Sequence, residues 1–298
     1  MTQLSKRKIK MITAKTISIL LLLSFCGNLF AQKETPKSVL FNGKDFDGWQ
    51  KYLAVPYKSV AIEMPKGENG DYISPIGFDK DPLNVFKVVT EDGKPAIKVT
   101  GEVFGHIRTT NEYENYHLII SFKWGNKKYP PREDKKRDAG LLYHSLGVPQ
   151  NTAPWSQSQE CQIQEGDCGD YFIIGGSTID IKVDTSSKPF FKYKKDGVLT
   201  NFLALPRRGR CLKSEDFENP VGSWNTIEIY TIGDKSLHVV NGHLVMALQN
   251  SRMRASKGQT MPLTKGKIQL QSEGAEIFYR DILLEPITKF PSKFGILF

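Results

Sequence analysis

Residues 158–167 concentrate acidic and amide side chains in one short segment, Ser-Gln-Glu-Cys-Gln-Ile-Gln-Glu-Gly-Asp. The segment has the alternating pattern of a β-strand. Because alternate residues of a strand face the same side, Glu160, Gln162 and Gln164 would project from one face. Carboxylate and amide groups arranged in this way suit a polyhydroxylated ligand such as a sugar. The competing interpretation is the solvent-facing edge of an ordinary sheet.

Two glutamates of this segment, Glu160 and Glu165, are separated by an odd number of positions. A regular strand therefore directs their side chains to opposite faces. A β-bulge between them would bring both carboxyl groups to one cleft, and bulges are frequent beside active sites. We expect such a bulge if both glutamates take part in the chemistry.

The N-terminus has the pattern of an export signal. Basic residues precede an apolar run at residues 16–25, which at about ten residues is too short to span a bilayer. We predict cleavage after Ala31, so that residues 1–31 are a signal peptide and no membrane span remains. Lipoprotein processing at Cys26 is disfavoured by the bulky Phe25. The mature protein is then periplasmic or extracellular.

The charge of the chain comes largely from this signal. The full sequence has a formal net charge of +9, but five of its 41 basic residues and none of its 32 acidic residues lie in residues 1–31. The mature chain is therefore only weakly basic, and nucleic acid is not expected as a partner.

Three cysteines remain after the signal: Cys161, Cys168 and Cys211. An oxidising compartment allows one disulfide and leaves one thiol. A bond between Cys168 and Cys211 would join two loops near the acidic segment, but the sequence leaves the connectivity open. No pair of Cys or His residues has the spacing of a zinc site.

Short strands separated by Gly, Pro, Asn and Asp dominate the mature chain, and no segment has sustained helical periodicity. In residues 116–124 apolar and polar side chains alternate, and Asn241-Gly242 supplies the positive φ angles of a tight hairpin turn. Many strands without strand–helix alternation predict an all-β sandwich of the jelly-roll type. We expect a single domain over residues 36–298.

Two irregular stretches interrupt the strands, at residues 56–82 and 126–138. Both contain Pro and charged residues, and the second leads directly into the apolar segment 139–144. Long loops in compact domains often carry function. We therefore expect these loops to lie near a binding site.

Several segments, in order along the chain, are similar to those of one protein family. They are Leu-Phe-Asn-Gly-Lys-Asp-Phe-Asp-Gly-Trp at 40–49, Tyr-Glu-Asn-Tyr-His-Leu at 113–118, Asp-Ala-Gly-Leu-Leu-Tyr-His at 138–144, Glu-Cys-Gln-Ile-Gln-Glu at 160–165, and further segments at 224–225, 241–242, 266–271 and 278–282. Together they resemble the 3-keto-disaccharide hydrolase domain family over nearly the whole mature chain. Asp138, His144 and Glu165 depart from the family pattern, which has Asn, Arg and Asp there.

The resemblance implies a concanavalin A-like jelly roll and cleavage of glycosides oxidised at C3. A C3 ketone acidifies the C2 proton, so a base can remove it and expel the C1 substituent; water then adds for net hydrolysis. We assign the base to Glu160 or His144. Lys128, His144 or a bound metal would stabilise the enolate, and Glu165 is the candidate acid or orienting carboxylate.

The remaining candidates would bind substrate. Gln162 would hydrogen-bond sugar hydroxyls and Trp155 would stack on a pyranose ring; Lys128, Asp138, His106 and Arg280 complete the set. Each has a structural alternative: packed histidines, a turn cap for Asp138, or an ion pair of Arg280 with Glu160 or Glu276.

No cofactor is predicted, although Asp138, His144, Glu160 and Glu165 have the oxygen and nitrogen donors of a divalent-metal site. Two other functions compete with cleavage of keto-glycosides. A retaining glycosidase would need two carboxyl groups about 5–5.5 Å apart. A non-catalytic carbohydrate-binding module is the other, because fold alone does not determine function.

Overall fold

This computed structural model describes residues 37–149, 154–203, 208–255 and 259–298. The regular elements of these residues are twenty β-strands and one short 3₁₀ helix, Ser292–Phe294. The first ten strands are β1 (Ser38–Val39), β2 (Trp49–Leu53), β3 (Gly77–Phe78), β4 (Phe86–Glu91), β5 (Lys94–Val99), β6 (Gly105–Thr109), β7 (Tyr116–Lys128), β8 (Asp138–Leu146), β9 (Gln157–Gln164) and β10 (Tyr171–Ile174). The others are β11 (Ser177–Asp184), β12 (Phe191–Tyr193), β13 (Val198–Phe202), β14 (Arg210–Leu212), β15 (Trp224–Ile232), β16 (Lys235–Val240), β17 (His243–Arg254), β18 (Thr260–Pro262), β19 (Lys267–Ser272) and β20 (Ala275–Pro286). The predicted signal peptide, with Cys26 and Ala31, falls outside the described residues.

The strands form two packed layers. The front sheet has the order β3-β2-β6-β19-β8-β9-β10, and the back sheet the order β4-β5-β20-β7-β15-β16-β17-β11-β13. Strands β14 and β12 connect β10 to β11 at one edge and thereby join the layers. Neighbours within each sheet are antiparallel, and pairs such as β6–β19, β8–β19 and β7–β20 join distant parts of the chain, as in a jelly roll. The prediction of an all-β, concanavalin A-like jelly-roll sandwich is confirmed.

The main core lies between the two sheets and follows the alternation seen in the sequence. Leu118, Ile120 and Phe122 of β7 are fully buried there, opposite Leu141 of β8 and Ile163 of β9. Burying one such side chain stabilises the fold by about 1.5–3 kcal/mol. A second apolar cluster surrounds Phe202 and Leu248 at the joined edge.

Because odd-numbered residues of β8 and β9 face the core, the even-numbered ones face away from it. These are Asp138, Gly140 and Leu142 on β8 and Glu160, Gln162 and Gln164 on β9. The pairing is regular from Asp138–Gln164 to Tyr143–Gln159. The expected bulge between Glu160 and Glu165 is therefore wrong.

The irregularity of this strand pair lies instead in β8, between Tyr143 and Leu146. His144 has φ 51° there, a left-handed conformation that is uncommon outside glycine. Gly266 crosses against this point so closely that a Cβ on Gly266 would overlap the His144 backbone. The bulge and the bare glycine backbone thus fit together.

The three cysteines of the described residues are all free thiols. Cys161 and Cys168 are buried in the main core, and Cys211 lies in the second cluster. The disulfide between Cys168 and Cys211 considered from the sequence is absent from this structure. The cysteines contribute here as small apolar core residues.

The expected long loop at residues 56–82 contains only the two-residue strand β3. The buried Tyr72 organises it: its hydroxyl lies 2.7 Å from the Val60 carbonyl oxygen and 2.9 Å from that of Ile62. These bonds hold an otherwise irregular segment in one shape. Among the described residues, we find no helix with the length and hydrophobicity required to cross a membrane.

Candidate active site

Polar side chains from four neighbouring strands line the outer face of the front sheet. His106 of β6 is opposite Gln271 of β19. Gln269 is opposite Leu142 of β8, which is in turn opposite Glu160 of β9. Since paired residues of adjacent strands share a face, these side chains lie on one face of the front sheet, which is polar here except at Leu142.

Gly140 creates the space at the centre of this surface. A Cβ built on Gly140 would overlap the Oε1 atoms of both Glu160 and Gln271. The absence of a side chain therefore lets these two groups meet above the backbone of β8.

Three carboxyl groups and one guanidinium gather beside Gly140; we call Asp138, Glu160, Glu273 and Arg132 the acid cluster. Arg132 forms an ion pair with Asp138, and its Nη1 lies 3.7 Å from Glu273 Oε1. The charges of Glu273 and Asp138 both act on Glu160. One cation thus compensates for three acids, two of which are only 3% exposed.

This imbalance affects the three carboxyl groups differently. Burial, followed by the charges of Glu273 and Asp138, raises the pKa of Glu160 well above its usual range, against a hydrogen bond from Gln271. Burial and the charge of Asp138 raise the pKa of Glu273 to about 8. Burial raises the pKa of Asp138 only to about 6, because the charge of Arg132 and the hydrogen bond from Gln164 oppose the rise. Burial therefore favours the protonated form of Glu160, whereas Arg132 and Gln164 favour the ionised form of Asp138.

Asp138 is held in place by amide groups from the next strand. Gln162 Nε2 donates to Asp138 Oδ1 at 3.2 Å, and Gln164 Nε2 donates to Oδ2 at 2.6 Å. Its ion pair and these bonds join it to β9 and to Arg132 in the loop between β7 and β8. These contacts fix the carboxylate within the acid cluster. They differ from those of a turn cap, which was the structural alternative for Asp138.

His106 lies on the same surface as a neutral base with a fixed tautomer. Its buried ring stacks on Tyr52, and Nδ1–H donates to the Pro154 carbonyl oxygen at 2.8 Å. Burial lowers its pKa to about 3, so Nε2 carries a lone pair. His106 Nε2, Gln269 Oε1 and Gln271 Oε1 are buried without a hydrogen-bond partner. Such groups require a ligand or water.

His144 is separated from the acid cluster by the bulge in β8. Its ring packs against Tyr116 and Tyr143 in the core, and Nδ1–H donates to the Leu263 carbonyl oxygen at 3.2 Å. Burial lowers its pKa to about 4. The left-handed conformation at His144 turns the side chain away from the face that regular alternation predicts.

Three other residues predicted for the site lie elsewhere. Glu165 follows the end of β9 and pairs with Arg137 at 3.0 Å, because strand alternation turns it from Glu160. Lys128 is the last residue of β7 and not part of a loop, and its Nζ donates to the carbonyl oxygen of Lys135 in the following loop at 2.9 Å.

Arg280 is on the back sheet, where its guanidinium lies 3.6 Å from the ring centroid of Trp224. It makes no ion pair with Glu160, and Glu276 pairs with Lys98 instead, at 2.5 Å. The structure therefore places Arg280 on the opposite layer from the acid cluster.

Trp155 stands at the edge of the front-sheet surface, with its ring 6.3 Å from that of Phe104. It borders two cavities, of about 310 and about 610 Å³. The larger one is also lined by Tyr57, whose pKa responds to the charges of Glu273 and Arg132. An aromatic wall therefore adjoins the acid cluster.

The 3-keto-alpha-glucoside-1,2-lyase-like domain matches residues 36–285. The chain belongs to this family. The match covers the front sheet and every residue of the acid cluster, and it supports a carbohydrate-active function. No curated protein sequence matches the chain.

Solved structures similar to this family member include carbohydrate-active proteins. A Parabacteroides distasonis protein provisionally described as a glycosyl hydrolase has 20% identity over 85% of this chain and 94% of that one, with a TM-score of 0.47. SCLam, a non-specific endo-β-1,3(4)-glucanase of family GH16, has 11% identity over 85% and 93% of the chains, with a TM-score of 0.44. The Bacillus subtilis carbohydrate-binding module CBM66 has 8% identity over 67% and 91%, with a TM-score of 0.39.

Sequence reasoning did not identify Glu273 or Gln271 as site residues. A signal for both exists, because Gln269, Gln271 and Glu273 are polar at every second position while Ile268 and Leu270 are apolar. This is the alternation of a strand with one polar face. Arg132 was visible only as one of several charges in a loop.

The residues for a metal ion are not assembled in the described ranges, where no three His, Cys, Asp or Glu side chains form a metal-binding group. Of the four residues named as ligand candidates, Asp138 and Glu160 are in the acid cluster, whereas His144 and Glu165 are directed elsewhere. The prediction that the protein needs no cofactor stays a prediction.

Proposed function

We propose that the protein cleaves glycosides oxidised at C3, by elimination of the C1 substituent. The observation that carries the proposal is the acid cluster, in which Asp138 and Glu160 lie beside one guanidinium and the pKa of Glu160 is raised further than that of Asp138 by burial and neighbouring acids. Carboxyl groups whose surroundings separate their pKa values are suited to act as acid and base. The family match supports the choice of a keto-glycoside as substrate.

In this mechanism Asp138 removes the C2 proton, and the electron pair of the C2–H bond forms an enolate with its charge on the C3 oxygen. Collapse of the enolate re-forms the C3 carbonyl and makes the C1–C2 double bond as the C1–O bond breaks. Glu160 donates its proton to the leaving oxygen. This assignment reverses the role expected for Glu160 from the sequence, because burial and the charges of two neighbouring carboxyl groups raise its pKa and favour its protonated form. Before the next cycle Asp138 releases the C2 proton to solvent and Glu160 takes up a proton from solvent.

The enolate that forms at the C3 oxygen needs a hydrogen-bond donor or a positive charge. Arg132 supplies both, since its Nε–H is buried without a partner. A correctly placed donor of this kind contributes about 3–4 kcal/mol to stabilising the transition state. Gln271 Oε1, which is buried without a hydrogen-bond partner, would accept a hydrogen bond from a sugar hydroxyl, whereas the Gln162 amide holds Asp138 in place.

The test is an assay of the mature protein on a 3-keto-glucoside beside its unoxidised parent, with products identified by mass. The proposal expects release from the keto form alone, and an intermediate product lighter by one water than the free keto-sugar. Cleavage of the parent would indicate a retaining glycosidase and overturn the proposal. Binding without cleavage of either compound would indicate a carbohydrate-binding module.

A further inference from the structure

The cavity of about 610 Å³ beside the acid cluster has an apolar lining. Its wall is formed by Ala54, Pro56, Tyr57, Phe104, Pro154 and Trp155. Tyr57 meets the Phe104 ring edge-on at 5.3 Å, and Trp155 lies nearly parallel to it at 6.3 Å. Flat apolar surfaces in this arrangement favour a flat aromatic ligand, through offset or edge-on contacts.

Strand register places this cavity next to the proposed reaction centre. Gly105 pairs with Ser272, so Phe104 and Glu273 are the next neighbours along the antiparallel pair. Burial is the main cause of the raised pKa of Tyr57, but the charge of Glu273 also raises it and the charge of Arg132 lowers it. The phenol of Tyr57 is therefore close to the acid cluster. A substituent leaving from a sugar bound at the acid cluster would therefore reach this cavity.

Few groups in the cavity could bind the hydroxyls of a second sugar. The hydroxyl of Tyr72 is occupied by the backbone of Val60 and Ile62. Lys58 and Asp71 also border the cavity, but both are exposed to solvent. Polar groups that converge on a ligand give a pocket its specificity, and this mainly hydrocarbon lining offers few of them to sugar hydroxyls.

The wall of the cavity is held in place before a ligand binds. Tyr72 organises the 56–82 loop on one side, and on the other the Pro154 carbonyl oxygen is bound by His106 Nδ1–H. A preformed cavity loses less conformational entropy on binding than a mobile loop would. The long insertion thus has a specific place in the site.

We propose that this cavity receives the leaving group and that the preferred substrates are 3-keto-glycosides with an aromatic aglycone. The substrate class rests on the proposed function. The cavity itself is a binding site for an aromatic ring, whether or not the elimination takes place.

The experiment compares p-nitrophenyl 3-keto-glucoside with a 3-keto-disaccharide, using the wild type and Trp155→Ala, Trp155→Phe and Trp224→Ala. Trp224 is the matched control because it lies on the back sheet. The proposal expects Trp155→Ala to lower kcat/KM for the aryl substrate by about tenfold, as the loss of one aromatic contact implies, and for the disaccharide by much less. Trp155→Phe should retain most of the aryl activity, and Trp224→Ala all of it.

Equal losses on the two substrates would overturn the proposal, because Trp155 would then contact the oxidised sugar that they share. Calorimetric binding of unoxidised p-nitrophenyl glucoside separates the cavity from the chemistry. If neither keto compound is cleaved but this binding is lost in Trp155→Ala and kept in Trp224→Ala, the cavity stands and the elimination fails. Absence of binding to the wild type would overturn the cavity.

Discussion

The acid cluster on the front sheet differs from a second charged group on the outer face of the back sheet. This back-sheet cluster consists of Lys123, Glu91, Asp92, Trp224 and Arg280. Lys123 Nζ forms ion pairs with Glu91 and with Asp92, the latter at 2.7 Å, while Arg280 stacks on Trp224. Here two cations accompany two acids, whereas the acid cluster has one cation for three acids.

The two groups therefore respond to protons in opposite ways. Hydrogen bonds from Lys123 and Trp224 lower the pKa of Asp92, so that it is ionised at all moderate pH values. Burial opposes the charge of Lys123, but its bonds with Asp92 and Glu91 prevail and raise its pKa. In the acid cluster every carboxyl pKa is raised. The balanced charges of the back-sheet cluster stabilise the fold, whereas the excess of buried acids in the acid cluster keeps a proton available for transfer.

The largest expected effect comes from removing the proton that Glu160 holds. Glu160→Gln should lower kcat on the 3-keto-glucoside by about a thousandfold, within the usual range for loss of a general acid. Binding should persist because the amide has the same shape. The measurement is steady-state kinetics with calorimetric titration, and Asp92→Asn in the back-sheet cluster is the control. Unchanged turnover in Glu160→Gln would remove Glu160 from the chemistry.

Gly140 tests whether the geometry of the cluster matters as much as its charges. Gly140→Ala places a methyl group against Glu160 and Gln271 and should lower kcat/KM by about a hundredfold, since displacement by about 1 Å can have that effect. Gly125→Ala is a matched control, because its Cβ would meet Glu276 in the same way beneath the back sheet. Thermal unfolding checks that both variants fold. Similar losses in both would show a general packing effect.

Arg132 sets the pH range of the predicted base. It lowers the pKa of Asp138 and of Glu273, so Arg132→Met should raise both and keep Asp138 protonated to higher pH. The acidic limb of the kcat/KM profile should therefore move to higher pH, with a lower plateau. Lys123→Met, which removes the cation of the back-sheet cluster, should leave the limb in place. A limb that moves to lower pH in Arg132→Met would contradict the assignment.

The last prediction concerns stability rather than activity. Glu273 has a folded pKa of about 8, above the unfolded value of 4.5, so the folded state keeps a proton that the unfolded chain has lost. Its contribution to the free energy of unfolding thus falls as pH rises from about 4.5 to 8, by at most about 1.4 kcal/mol per pH unit. Glu273→Gln should flatten this decline in urea unfolding measured at pH 5 and pH 8.

The contribution of Asp92 to the free energy of unfolding changes with pH in the opposite direction. Its pKa is lowered on folding, so its contribution is present above the unfolded value of 3.8 and is lost as pH falls through the folded value. Asp92→Asn should therefore leave the decline between pH 5 and pH 8 unchanged. If Glu273→Gln left it unchanged as well, the remaining buried carboxyl groups would have to account for it.

Sequence reasoning reached the part of the site that depends on alternation along one strand. It placed Glu160, Gln162 and Gln164 on one face, and the structure has them there. It could not place His144, because the bulge at that residue depends on the crossing of Gly266 from a distant strand. A bulge is a property of a strand pair, and one strand alone does not reveal it.

The same limit explains the residues that were overlooked. Glu273 is more than a hundred positions from both Asp138 and Glu160, and nothing local connects them. Only the register of β19 with β6 and β8 carries it into the cluster. Arg280 was predicted for the site but lies outside it, because β20 belongs to the back sheet.

The sequence by itself determined the jelly-roll sandwich and which side chains of β8 and β9 face away from the core, because strand alternation is a pattern of consecutive residues. The tertiary structure alone decided which charges meet. The pKa values of Asp138, Glu160 and Glu273 follow from burial and from their mutual distances across strands, and neither exists until the chain has folded.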